Sequence, residues 1–298
     1  MIFVPELPEV ETIKKSLLSD LTGDRISRVE IYFPGMLQNM SPEDFKESVI
    51  SNQIKDVKRR GKYLLIYVSC NGKMKDQVKV IIIHLRMTGR LILKNNEVEK
   101  SHNHLDDEEI IQEYRHLRCL FQLQSGITLE FHDQRKFGTM ALVNQGEEFY
   151  WKGLANLGPE PLSEEFDYED FYKGVKKSKK PIKGILLDQK LVAGIGNIYA
   201  DEVLFASGIH PARKGEELTE QEVGSLYKTI IQILELGIKY RGTTFSDYRD
   251  SEGNKGNFQD LLKVFNRNKE ECLICRREVQ KTKVANRGTY YCPNCQPL

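Results

Sequence analysis

Apolar positions follow two rhythms along the chain, and the change between them comes near residue 144. From Arg25 to about Val143 they alternate or gather in short runs. Val29-Ile31-Phe33, Tyr63–Val68, Val80–Leu85, Leu91–Leu93, Cys119–Leu123 and Ile127–Phe131 each predict a strand. Asn71-Gly72 and Ser125-Gly126 are turn dipeptides that suit antiparallel pairing. Ahead of them, Val10, Ile13, Leu17 and Leu21 recur at helical spacing. Pro8 fits a first helical position, Glu9 and Glu11 complement the helix dipole, and Gly23 marks the stop. A helix packed on a β-sandwich or barrel accounts for this half.

Past Asn144-Gln145-Gly146 the pattern is helix-rich. The plainest signal is Thr219 with Glu222, a capping box ahead of apolar Val223, Leu226, Ile230 and Ile233. Residues 241–258 are polar and glycine-rich, a long loop of the kind that compact domains keep for a function. The fold class expected is α+β. It has a β-sandwich domain at 1–143, a helical domain at 144–265 carrying that loop, and a C-terminal zinc-binding hairpin at 266–298.

Charge adds little to this picture. The 44 basic residues nearly cancel 43 acidic ones, for a net charge of +1, so overall charge neither demands nor excludes a nucleic-acid partner. Basic clusters do recur at residues 55–62, 173–183 and 281–283. No apolar run approaches the ~20 residues that span a membrane, and a cytoplasmic location is the expectation.

Cysteine spacing adds more. Four of the six cysteines form Cys272-x2-Cys275 and Cys292-x2-Cys295, sixteen residues apart. Two such knuckles supply four thiolates for one closed, structural Zn2+, with an alternating hairpin between them. That staple presents Lys281, Lys283 and Arg287, which either grip phosphates or only steady the C-terminus. Cys70 and Cys119, alone in apolar stretches, read as small core residues or half-exposed thiols.

Three further stretches carry candidate chemistry. Gly194-Ile195-Gly196-Asn197 lacks the third glycine of a dinucleotide fingerprint, since Tyr199 stands there. As a glycine turn opening a helix it offers backbone N–H groups to a phosphate. Pro5-Glu6-Leu7-Pro8-Glu9-Val10-Glu11 reads first as an acidic helix start. His84 and Met87, with Asp133, Arg135 and Phe137, fall at strand ends or in loops, where methionine, arginine and phenylalanine can wedge into a base stack.

Taken together, PELPEVET at 5–12, RRGKYLL at 59–65, HLRMTG at 84–89, DQRKFG at 133–138, LGPEPLS at 157–163, LVAGIGNIYADEVLF at 191–205, GIHPAR at 208–213 and RGTYYCPNCQ at 287–296 resemble the formamidopyrimidine-DNA glycosylase / endonuclease VIII family, and more specifically its bacterial formamidopyrimidine-DNA glycosylases. The resemblance runs in order from Pro5 to Gln296. It implies a β-sandwich, a helix–two-turn–helix module around Asn197 and a zinc hairpin. The implied activity is a bifunctional glycosylase and abasic-site lyase of base excision repair, acting as a monomer on double-stranded DNA that holds oxidised purines.

By the same resemblance Pro5 is the nucleophile, forming a Schiff base with the sugar, and Glu6 is the acid/base beside it, with Glu9 in support. Lys62 and Arg287 assist the eliminations that cut the strand. Lys183, Asn197 and Arg287 hold phosphates beside the lesion, and His116 contacts DNA. Met87, Arg135 and Phe137 fill the gap left by the flipped nucleotide, and the 241–258 loop covers the everted base.

Three departures stand out. Met1-Ile2-Phe3-Val4 precede Pro5, so in that chain its nitrogen is a tertiary amide, unable to form a Schiff base. Either translation starts at codon four and leaves Pro5 at the N-terminus, or the extension is real and the protein binds damaged DNA without proline chemistry, or works through an amine such as Lys62. Arg86 stands where the family usually has glycine, and VFNR at 264–267 where it usually has a tyrosine-glycine pair.

Overall fold

The computed structural model describes residues 4–69, 77–95, 114–244 and 255–298. Cys70, the Asn71-Gly72 turn and residues 245–254 of the expected loop lie outside the described residues. The chain gathers into two units. One is built on residues 9–155 with a piece from 243–256; the other joins residues 6–8, 156–242 and 257–298.

The first unit is a sandwich of two four-stranded antiparallel sheets. One has the order β1-β6-β7-β5, with β1 Ile26–Ile31, β5 Gly89–Asn95, β6 Leu117–Leu123 and β7 Ile127–Asp133. The other has the order β2-β3-β4-β8, with β2 Gln53–Arg60, β3 Tyr63–Ser69, β4 Val78–His84 and β8 Thr139–Asn144. Alternate residues of both sheets, Ile66, Ile81, Ile83, Phe121, Leu129 and Phe131 among them, point into one core. Helix α1 (Leu7–Leu21) lays Val10, Ile13, Leu17 and Leu21 on that core, which is why those four recur at helical spacing. An ion pair of 2.9 Å from Arg59 on β2 to Glu11 fixes the helix against the sheet. Cys119 is one of the core residues, as its apolar setting implied.

Three elements here were not announced by the apolar pattern. Strand β2 lies at a sheet edge and reads QIKDVKRR. Only Ile54 and Val57 face inward, and a register shift between Ile54 and Asp56 breaks the alternation. Strand β8 is short and buried at successive positions, so it shows no alternation. Helix α2 (Pro42–Val49) is brief but does carry its signal: Ser41 accepts from the backbone N–H of Asp44, and Pro42 opens the helix.

The second unit holds α3 (Tyr168–Lys176), α4 (Ile182–Leu186), α5 (Asn197–Ala206) and α6 (Glu220–Lys239). Thr219 and Glu222 make the expected capping box at the start of α6. Helix α5 is buried on every side from Ile198 to Phe205, as its nearly continuous apolar sequence demands. The hairpin β9 (Gln280–Val284) and β10 (Arg287–Tyr291) packs within the same unit. Ala285 and Asn286 both have positive φ, giving the two-residue turn that matches strand twist. Among the described residues no helix is long and apolar enough to cross a membrane.

Candidate active site and nucleic-acid interface

In the second unit, chemistry gathers around the first turn of α5. Gly194 has a φ of +89°, and a Cβ there would lie 2.7 Å from the Leu7 side chain, so only glycine admits the chain start at this point. The Leu7 N–H donates to the Gly194 carbonyl at 3.0 Å. Glu6, 3% exposed, is thereby carried onto the helix N-terminus. Its carboxylate accepts the N–H groups of Gly196 at 2.7 Å, Ile198 at 2.9 Å and Tyr199 at 3.4 Å. A Cβ on Gly196 would sit 2.2 Å from the Glu6 Cδ, so this glycine too is needed for the approach. The helix opening therefore seats the protein's own carboxylate, where its sequence alone suggested an open phosphate seat.

Around that carboxylate the structure brings together three more of the expected residues. Lys183 on α4 is 0% exposed and forms an ion pair of 2.7 Å with Asp201 of α5. Its ammonium also donates to Thr289 Oγ1 at 2.9 Å and to the Gly288 carbonyl at 3.0 Å. Three partners thus surround its three hydrogens. Burial pushes Lys183 below the usual lysine range and Asp201 up to about 7, each opposed by the other's charge. Asn197 donates from its amide to the same Gly288 carbonyl at 3.1 Å, while its Oδ1 is buried with no partner among the described residues. Arg287, exposed, is the next residue along the hairpin. Asp201 further accepts the Tyr290 N–H at 3.0 Å, so the hairpin is bolted to α5 at Gly288 and at Tyr290.

Asp201 and Glu202 were not singled out from the sequence. Their signal is two carboxylates inside an apolar helix. Glu202 accepts three backbone N–H groups, from Lys263, Val264 and Phe265, and so pins the segment leading to the cysteines. Within that segment Asn266 has a φ of +63°, which explains how asparagine replaces the family's usual glycine: it tolerates the left-handed region better than most side chains.

The four cysteines Cys272, Cys275, Cys292 and Cys295 converge, with all sulfurs within 4.8 Å of one another. Tetrahedral zinc with Zn–S of ~2.3 Å places its sulfurs ~3.8 Å apart. The Cys272–Cys295 and Cys275–Cys292 separations of 3.9 and 3.4 Å fit that geometry. Backbone N–H groups of Ile274 and Cys295 point at sulfurs of Cys272 and Cys292, each at 3.5 Å. A closed set of four thiolates holds a structural Zn2+ and leaves no position for a reactant.

The first unit carries the other expected residues. Pro5 is buried two residues ahead of Leu7, where α1 begins, and Lys62 lies half-buried in the β2–β3 turn. Met87, half-buried, is in the turn between β4 and β5. Arg135 and Phe137 are exposed between β7 and β8, with the guanidinium 4.8 Å over the phenyl ring. His116, half-buried, accepts the Asp133 N–H at 2.8 Å through its carbonyl; burial lowers its imidazole from the ordinary histidine value. Glu9 accepts the Thr243 N–H at 2.7 Å, and Thr244 Oγ1 accepts that of Gly256 at 2.9 Å, so both flanks of residues 245–254 are tied.

Two positions beside Met87 behave unusually. Arg86 has a φ of +56°, a conformation that costs a residue with a Cβ about 1–2 kcal/mol, and glycine is the family's usual choice there. Arg86→Gly is accordingly expected to raise stability by about 1 kcal/mol, read as a higher thermal midpoint. An unchanged or lower midpoint would show that the guanidinium makes contacts outweighing the strain.

His84, 8% exposed, accepts the Arg86 N–H through Nδ1 at 2.9 Å and meets the Tyr63 ring at 4.4 Å. Burial, then the charges of Arg86 and Lys62, push its imidazole down to about 3. A base depressed in the folded state contributes stability that is complete above the unfolded value of 6.5 and lost as pH falls toward 3. Each pH unit in that window costs about 1.4 kcal/mol. Urea unfolding between pH 7 and 4 is expected to show a shallower loss for His84→Asn than for the wild type. Equal slopes would remove His84 from the account.

Known proteins resemble this chain over nearly its whole length. Family models match three stretches: the formamidopyrimidine-DNA glycosylase N-terminal domain at residues 4–140, the H2TH domain of the same enzymes at 157–249, and a zinc finger found in FPG and IleRS at 269–298. The formamidopyrimidine-DNA glycosylase of Carboxydothermus hydrogenoformans is 42% identical over 98% of this chain and 100% of its own length. That of Symbiobacterium thermophilum is 42% identical over 99% of this chain and 90% of its own. Among solved structures, Lactococcus lactis Fpg bound to DNA with an abasic site is similar at a TM-score of 0.85 and 34% identity, covering 98% of this chain and all of that one. The same enzyme bound to DNA with an oxidised pyrimidine is similar at a TM-score of 0.85 and 35% identity, covering 99% and 100%.

Proposed function

The chain belongs to the formamidopyrimidine-DNA glycosylase family, and from that premise we propose that it excises oxidised purines from double-stranded DNA and then cuts the strand. The observation that carries this reading is the seating of Glu6. A buried carboxylate is held by three backbone amides, directly beside Pro5 in the chain, with Asn197 opening the same helix and Arg287 on the hairpin bolted to it. The oxidised-purine preference, 8-oxoguanine and formamidopyrimidines, comes from the resemblance.

In this mechanism the secondary amine of Pro5 attacks the sugar C1′ and the glycosidic bond breaks, the base leaving with the bonding pair and taking up a proton. Glu6 exchanges protons as the sugar ring opens to the Schiff base. Loss of a C2′ proton expels the 3′ phosphate and a second elimination expels the 5′ phosphate, with Lys62 and Arg287 assisting. Asn197, Arg287 and His116 hold the DNA backbone. Lys183, enclosed by Asp201, Thr289 and Gly288, serves the phosphate grip from behind by fixing Asn197 and the hairpin. Met87, Arg135 and Phe137 fill the stack where the nucleotide has left, and the 241–258 loop covers the base. The zinc holds the hairpin and takes no part in the reaction. The protein works as a monomer in the bacterial cytoplasm, on the chromosome.

Only a Pro5 that is the first residue has the free amine this requires; the family match beginning at residue 4 supports that form. Borohydride reduction on a duplex containing 8-oxoguanine is expected to trap a covalent adduct with protein beginning at Pro5, and none with protein that keeps residues 1–4. No adduct from the Pro5 form would overturn the proposal. Where residues 1–4 stay attached, Pro5 nitrogen is an amide, and the same fold serves as a damaged-DNA binder with salt-sensitive affinity and no base release.

A further inference from the structure

Asp133 ends β7 and is 1% exposed. Its backbone is fixed first. The N–H donates to the His116 carbonyl at 2.8 Å, the carbonyl accepts from Arg118 Nε at 2.8 Å, and the residue pairs with Gly89 of β5. The side chain is then spent on two loops. Oδ1 accepts the hydroxyl of Thr88 and, at 3.1 Å, the N–H of Arg135; Oδ2 accepts the N–H of Gly138 at 2.7 Å. The Thr88 hydroxyl closes a triangle by accepting the Arg135 N–H at 3.0 Å. A buried carboxylate can accept all these donors because it has two oxygens and no hydrogen of its own.

Thr88 follows Met87 in the β4–β5 turn, whereas Arg135 and Gly138 lie in the β7–β8 loop that also carries Phe137. Joining them through one rigid carboxylate removes relative motion between three side chains that come from different loops. We propose that Asp133 is a positioning residue that couples the Met87 turn and the Arg135/Phe137 loop into a single stiff wedge. The inference rests on the reading that these three side chains enter the vacated stack. Prising a base out of a duplex needs a tool that does not yield, and two independently mobile loops yield where a joined pair does not.

The test uses the protein beginning at Pro5 and reads amide hydrogen exchange and base release side by side. Thr88→Val removes only the hydroxyl that joins the loops and leaves the carboxylate in place; Thr88→Ser keeps it. Asp133→Asn replaces one acceptor by a donor facing N–H groups. Exchange across residues 134–138 is expected to speed about tenfold in Thr88→Val, and exchange across 86–89 likewise in Asp133→Asn, with the rest of the sheets unchanged and Thr88→Ser like wild type. Release of 8-oxoguanine from a full duplex is expected to fall about tenfold relative to release from a single strand, where no stack resists. A fraction of unfolded protein lowers both rates alike and cannot move that ratio. Loosening confined to the mutated loop would overturn the coupling, and loosening of both loops with an unchanged ratio would overturn the positioning role. Wild-type protein that releases no base would overturn the proposed function instead, while the exchange measurement still decides the coupling.

Discussion

Glu6→Gln is expected to slow base release by about two to four orders of magnitude, the range general acid–base groups contribute, while DNA affinity changes little. The substitution keeps size and shape but removes the charge and one acceptor. Three N–H groups now converge on the Glu6 carboxylate. A carboxamide meets them with one oxygen and an NH2 group, leaving a buried amide unsatisfied at a cost of about 1–3 kcal/mol. A stability loss of that size leaves a typical domain folded. Single-turnover release at saturating protein isolates the chemical step, with anisotropy on the same duplex reporting binding. Release within a factor of ten of wild type would assign Glu6 to helix capping alone.

Stripping the metal from Cys272, Cys275, Cys292 and Cys295, by chelation or by Cys292→Ser, is expected to melt the hairpin and abolish specific DNA binding. Zinc contributes about 10–16 kcal/mol to folding of small fingers, as much as the whole stability of many domains. The hairpin between the knuckles has little of its own to hold it, since the residues of β9 before Val284 are all exposed. The damage should also spread inward. Gly288, Thr289 and Tyr290 satisfy Lys183 and Asp201, and their loss leaves a buried ion pair short of its hydrogen bonds. Affinity for a lesion duplex is expected to fall at least about 100-fold with Arg287 and Asn197 no longer held, and exchange in α4 and α5 should rise. Metal-free protein that still protects β9 and β10 from exchange would refute this.

What the sequence showed, and what it hid, follows from how far apart the interacting residues lie. Strands β3, β4, β6 and β7 were legible because they are central and flank the core with apolar residues. Helices α1 and α6 were legible through their stripes and start signals. Edge strand β2 was hidden by its lysines and arginines, which face away from the core, and by its bulge. The zinc site was legible because ligand spacing is local. Glu6 was legible only as a helix-start acid by composition, and as a catalytic group by resemblance, because its partners are 190 or more residues away. Lys183 read as one of the basic cluster at 173–183, and as a phosphate contact by resemblance; its burial depends on Thr289, 106 residues on. Asp133 was noted at a strand end, but the loops it joins meet only after β5 and β7 have paired.

The seat of Glu6 also imposes an order in time. A ribosome adds about 5–20 residues per second, so roughly 10–40 s separate the synthesis of Glu6 from that of the amides that receive it. The β-sandwich strands emerge within that interval and can pair, but residues 6–8 belong to a unit whose other members begin only at residue 156. Glu6, the first carboxylate to leave the ribosome, is thus among the last to reach its place.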